Sequence, residues 1–156
     1  MRISFIPPLI AGFLLLPLAG VHAMAEDIPA LRLMSATELK ANAHGHFVTR
    51  AAINGSDITV LVDTGATAVA LSYEDAGSAG LSPRNLDFNV PVSTANGVAQ
   101  AAHVSIDKIE IDGITVDNVD GLVLPEGALH GTLLGMSFLS RLRSFRVEDG
   151  VLYLRD

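Results

Sequence analysis

Leu61-Val62-Asp63-Thr64-Gly65-Ala66-Thr67 is the stretch around which the rest of the chain makes sense. An apolar, strand-like run, Ile58–Val62, ends abruptly in a carboxylate, a hydroxyl, a glycine and two small residues, and apolar residues resume at Ala68-Val69-Ala70-Leu71. A buried run normally stops in a solvated turn. Here an acid sits at the end of an apolar segment, as a carboxylate presented at the floor of a cleft would. Gly65 lets the backbone turn with no Cβ in the way and lets its N–H approach the Asp63 carboxylate, while Thr64 offers a hydroxyl able to lock one loop to another. One carboxylate alone does little hydrolytic chemistry. Two that face each other share a proton, so that one acts as base on a water and the other as acid. The competing reading makes Asp63 an ordinary turn or N-cap acid, because Asp-Thr and Thr-Gly pairs are common in loops.

Asp63-Thr64-Gly65-Ala66 behind apolar residues resembles the catalytic loop of the retropepsin-like aspartic proteases, single-lobed peptidases of the retroviral type. Gly45-His46-Phe47, Ile53-Asn54-Gly55, Leu133-Leu134-Gly135-Met136-Ser137-Phe138-Leu139 and Asp149-Gly150 look like the bacterial, periplasm-facing branch of that clan. The likeness runs from Gly45 to Leu154 and implies a closed acid-protease barrel of one lobe. It implies Asp63 as the catalytic acid, with Thr64, Gly65, Ala66, Leu134 and Gly135 supporting its loop, the last two from beneath. It also implies a flap at Thr94, Ala95, Asn96 and Gly97, the small, polar turn of a hairpin suited to a mobile lid. Retroviral members usually have an arginine where Met136 follows the glycine. The ion pairing that arginine makes near the loop is therefore absent here, although the bacterial branch tolerates an apolar residue at that position.

The N-terminus reads as a targeting segment. After Arg2 no charged residue occurs from Ile3 to Ala25, and Ala23-Met24-Ala25 precedes Glu26-Asp27. That pattern predicts a secretory signal peptide over residues 1–25, cut after Ala25. An uncleaved membrane anchor is the alternative. Pro7, Pro8 and Pro17 and the Ala-x-Ala site favour removal. Residues 26–44 then form an N-terminal segment and 45–156 the protease-like domain, of a length for one core and too short for two lobes. The expected location is periplasmic or secreted, with an inner-membrane tether if residues 1–25 are kept.

The formal charge is −7, with no basic block, which argues against nucleic acid and anionic membrane surfaces as partners. Arg141, Arg143 and Arg146 read as a helix end and a solvated strand face. With no cysteine there is no disulfide, thiol nucleophile or thiolate metal site. His44-x-His46 lacks a third ligand, and zinc needs three or four, so no metal and no cofactor is expected. His103 and His130 read as surface or core histidines rather than bases, and Ser137 lacks a nucleophile-elbow context.

Along the chain, Ser35-x-x-Glu38 is a capping-box pattern for a helix to Lys40, yet Leu31 and Leu33 also allow a strand there. Strands are predicted from His46 to Ile53 and from Ile58 to Val62 about the Asn54-Gly55 turn, and over Ala68–Ser72. A helical turn follows at Tyr73–Ala79, stopped by Gly80 and Pro83. Further strands are expected at Leu86–Val92, Val98–Ile106, Ile109–Ile111, Ile114–Val116 and Val119–Leu124, with Asp112-Gly113 as a turn. Ser137–Leu142 reads as a short helix, and Phe145–Glu148 and Val151–Leu154 as a closing hairpin. Many short strands, glycine turns and one or two short helices predict an all-β, β-rich fold.

No second Asp-Thr/Ser-Gly occurs, so a dyad requires Asp63 of a second copy and places the site on the two-fold axis of a homodimer. The leading expectation is an aspartic endopeptidase acting on a peptide or protein substrate. A non-catalytic peptide- or protein-binding module and a structural envelope domain are the alternatives. The intact Asp63-Thr64-Gly65 favours the enzyme, because a binding module has no reason to keep an acid at an apolar cleft floor.

Overall fold

The computed structural model describes residues 35–94 and 97–156. The expected leader over 1–25, the adjoining residues to 34, and the flap residues Ala95 and Asn96 lie outside the described residues. The elements in chain order are β1 (Ala36–Lys40), β2 (Val48–Ile53), β3 (Ser56–Val62), β4 (Val69–Leu71) and α1 (Tyr73–Ser78). A 3-10 turn (Pro83–Asn85) leads to β5 (Val90–Thr94), β6 (Gly97–Ile111), β7 (Ile114–Val123) and β8 (Thr132–Leu134). The chain closes with α2 (Met136–Leu139), β9 (Ser144–Glu148) and β10 (Val151–Arg155).

Six strands close into a barrel in the order β2-β3-β8-β4-β7-β6, shut where Ala52 and Ile53 of β2 pair with Glu110 and Ile109 of β6. Strand β5 extends the sheet from β6, and β1-β10-β9 form a separate three-stranded sheet. The turns follow local chemistry. Asn54-Gly55, Asp112-Gly113 and Asp149-Gly150 all hold both residues at positive φ, the geometry that lets a two-residue hairpin follow strand twist.

The open choice at Ser35–Lys40 resolves as a strand. Ala36–Lys40 pairs antiparallel with β10, with Leu39 opposite Leu152, and the Thr37 hydroxyl donates to Asp112 Oδ2 at 2.7 Å. A helix of that length is marginal on its own, whereas the strand buries Leu39 and leaves Glu38 and Lys40 in water. The expected strand at Leu86 begins four residues late, at Val90, because Leu86 and Phe88 pack on the core from a loop after the 3-10 turn.

The runs expected separately at 98–106 and 109–111 are one continuous β6, and those at 114–116 and 119–124 are one β7. Register holds across the gap although Asn118 takes φ +52°. There the Arg141 guanidinium donates to the carbonyls of Asp117 (3.2 Å) and Asn118 (3.3 Å).

The barrel interior is aliphatic: Ile53, Val60, Leu71, Ile106, Ile109, Ile111, Ile114 and Leu134 are fully buried. Phe138 and Leu139 of α2 are buried in the same cluster. The predicted helix at Ser137–Leu142 starts one residue earlier and keeps regular geometry only to Leu139, after which looser turn bonds bring Leu142 to the core. Truncating Phe138 to alanine would cost about 3–5 kcal/mol by the cavity it leaves.

Candidate active site

Strand order places the acid. β3 runs parallel to β8, and β8 lies between β3 and β4, so the connection from Val62 to Val69 must pass over the end of β8. Asp63 is the first residue of that crossing. Its N–H donates to the Leu134 carbonyl at 3.1 Å, continuing the β3–β8 ladder by one bond, and its own carbonyl accepts from Ala66 N–H at 3.3 Å. The Gly65 N–H donates to Asp63 Oδ1 at 2.8 Å, so one carboxylate oxygen is held by the loop's own backbone. The Met136 N–H then donates to the Ala66 carbonyl at 2.8 Å, fastening the far side of the loop to α2.

Gly135 lies beneath the crossing with no room for a side chain, since a Cβ there would stand 2.1 Å from the Ala68 carbonyl oxygen. Alternation along β8 separates two tasks. Leu134 points into the core at 0% exposure, and Leu133 lines the cleft. The structure therefore brings Asp63, Gly65, Ala66, Leu134 and Gly135 together. Thr64 lies at the exposed tip of the loop, and its hydroxyl has no hydrogen-bond partner among the described residues.

A cleft of about 720 Å³ opens at Asp63. Its floor is the small-residue run Gly65, Ala66, Thr67, Ala68 and Ala70. One wall is β5, through Pro91, Val92, Ser93 and Thr94; the other is Leu122, Leu124, Ala128, Leu129, His130 and Leu133. Of the expected flap residues, Thr94 lines the cleft and Gly97 opens β6, with the Thr94 hydroxyl donating to the Gly97 carbonyl at 2.8 Å across the turn. A smaller hollow of about 410 Å³, between α1 and the 3-10 turn, contains no residue of the Asp63 loop.

Sequence reasoning missed three contributors. Pro91–Ser93 line the cleft, yet β5 carries no chemical signature. The Ser137 hydroxyl accepts from Val69 N–H at 2.9 Å and donates to the Asp120 carbonyl at 2.6 Å, tying α2 to β4 and β7 beside the loop. The Thr132 hydroxyl, 1% exposed, donates to Asp75 Oδ2 at 2.7 Å and so docks α1 on β8. Of the histidines, His103 is exposed and pairs with Asp120, 3.3 Å away, whereas His130 reaches the cleft. His44 and His46 lie on an exposed loop that Asn42 Oδ1 organises by accepting both their backbone N–H groups.

A single-lobed barrel with an Asp-Thr-Gly loop at its cleft defines the acid-protease class. Residues 49–141 match the family described as "gag-polyprotein putative aspartyl protease". A solved retropepsin-like aspartic protease from Rickettsia conorii is 34% identical and superposes with a TM-score of 0.71 over 78% of this chain and 91% of that one. The EIAV protease complexed with the inhibitor HBY-793 shares the fold at 20% identity, with a TM-score of 0.54 over 69% of this chain and 97% of that one. An uncharacterized protein in the cobV 5' region of Sinorhizobium sp is 50% identical over 118 residues, which are 76% of this chain and 51% of that protein. The chain thus spans about half the length of that curated relative. It belongs to the retropepsin-like aspartic protease family.

Proposed function

We propose that the protein is an aspartic endopeptidase whose catalytic pair is Asp63 from each of two copies. The observation that carries this reading is the Asp63 carboxylate, held by the Gly65 N–H in an apolar cleft where, among the described residues, no other lining residue is an acid. A chain with one such acid needs a second chain to complete a dyad. Thr64, exposed and unpartnered among the described residues, is available to bond the opposing loop.

The chemistry follows from the shared proton. The ionised Asp63 takes a proton from a water held between the pair, the water oxygen attacks the peptide carbonyl, and the protonated Asp63 gives its proton to the carbonyl oxygen. The tetrahedral intermediate collapses as the C–N bond breaks: the Asp63 that took the water's proton gives it to the nitrogen, and the other Asp63 takes a proton from a hydroxyl of the intermediate, which restores the pair. The enzyme forms no covalent adduct and uses no metal or cofactor. Residues of β5 and the 94–97 turn cover extended substrate as a flap.

On the same reading the enzyme is exported, periplasmic or secreted, with residues 1–25 as its leader. Asp63→Asn tests the mechanism, because it keeps an oxygen for the Gly65 N–H and removes the shared proton. Undiminished proteolysis by that variant would eliminate the proposal.

A further inference from the structure

Among the described residues, the cleft holds one ionisable group besides Asp63, and it is His130. Every other lining residue is apolar, small or an uncharged hydroxyl. Such walls sort substrates by size and leave charge unread. His130 sits on the loop between β7 and β8, where Gly131 at φ +86° turns the chain back into the sheet. Two residues on, the buried Thr132 bonded to Asp75 pins the start of β8. The imidazole is thus an exposed group on an anchored segment, with no hydrogen-bond or ion-pair partner among the described residues.

The groups that share its surroundings are few. Asp63 enters the cleft from the β3–β4 connection, and the cleft-lining residues of β4, β5 and β7 are uncharged. Glu126, on the same loop as His130, is exposed and does not line the cleft.

We propose that His130 is a specificity-determining residue that selects substrates carrying an Asp or Glu side chain within the stretch bound in the cleft. This rests on the peptidase reading of the cleft. A protonated imidazole donates a charge-assisted hydrogen bond to a carboxylate, and no other lining side chain among the described residues can supply a cation there. The net charge of −7 repels anionic peptides from afar, but salt screens that field beyond roughly 8–10 Å. A group inside the cleft therefore decides.

The test uses peptide pairs identical except for Glu or Gln at one position, moved stepwise along both sides of the cleaved bond. Wild-type protein is expected to favour Glu about two- to fivefold in kcat/KM at one or more positions, the scale of an exposed ion pair. His130→Lys keeps the preference, and His130→Gln lacks it at every position. A wild-type profile from His130→Gln, or no Glu preference at any position, would overturn the proposal.

A binding arm separates this inference from the peptidase reading. The same pairs are titrated by fluorescence anisotropy onto the Asp63→Asn protein, with and without His130→Gln. A Glu preference that vanishes with His130→Gln supports the inference even if the wild type cuts nothing, a result that would sink the peptidase reading alone. Equal binding of the pair, or none, overturns the inference.

Discussion

Gly135 runs so close beneath Ala68 that a β-carbon at position 135 would lie 2.1 Å from the Ala68 carbonyl oxygen, and 2.8 Å from that of Ala66. The cause is the strand order: with β8 between β3 and β4, the Asp63 connection has to cross the end of β8, and Gly135 is the residue it crosses. Both clashing groups are backbone, so no change of side-chain rotamer relieves them. Gly135→Ala is expected to destabilise by more than about 3 kcal/mol or to prevent folding. Gly77→Ala is the control, since its new Cβ meets only Pro83 Cγ at 3.9 Å within α1, and a helical glycine-to-alanine change gains roughly 0.5–1 kcal/mol. Urea denaturation of both variants checks the contrast. Wild-type stability in Gly135→Ala would refute the close crossing.

Ser137 holds the opposite flank of the loop. Its hydroxyl serves the Val69 N–H and the Asp120 carbonyl together, and alanine leaves both without that partner. The expected cost is about 1–3 kcal/mol. Ser140→Ala removes a hydroxyl on the same short helical segment that bonds only the Met136 carbonyl and is exposed, and it is expected to stay within about 0.5 kcal/mol of wild type. Equal stabilities for the two variants would show that Ser137 is no more than a surface hydroxyl.

What was legible in the sequence was what neighbours in the chain decide. Asn54-Gly55, Asp112-Gly113 and Asp149-Gly150 announce their turns because the residues at positive φ are the ones that tolerate it. The Asp63 loop stood out through its likeness to the retropepsin-like loop, since its Asp-Thr and Thr-Gly pairs alone read equally well as a turn. Features set by distant partners were not. Ala36–Lys40 is a strand because β10, at the other end of the chain, offers it an edge, and nothing local decides between the capping-box and strand readings. Ser137 finds Val69 across 68 positions and Asp120 across 17. His130 reads as any loop histidine until the fold carries it to the Asp63 cleft.

Asp63→Asn is expected to leave the fold intact, because the asparagine oxygen still accepts from Gly65 N–H, while proteolysis falls by about 10²- to 10⁴-fold or more. Mass spectrometry of a digested peptide mixture measures the loss, and circular dichroism with a denaturant curve checks the fold. A variant that still cuts would point to catalysis by some other group, and one that unfolds would mark Asp63 as structural.

The proposed two-copy site makes a sharper demand when active and inactive chains are mixed. If subunits exchange freely, equal amounts of wild type and Asp63→Asn give roughly one dimer in four with two aspartates. A fixed amount of wild-type chain then loses about half its activity, and with a ninefold excess of the variant about nine-tenths, because each mixed dimer removes a wild-type chain from a complete pair. A site complete within one chain would lose nothing at any ratio. Titrating the variant into wild type and following peptide cleavage reads the difference directly, and a flat response would show that one Asp63 carries out the chemistry alone.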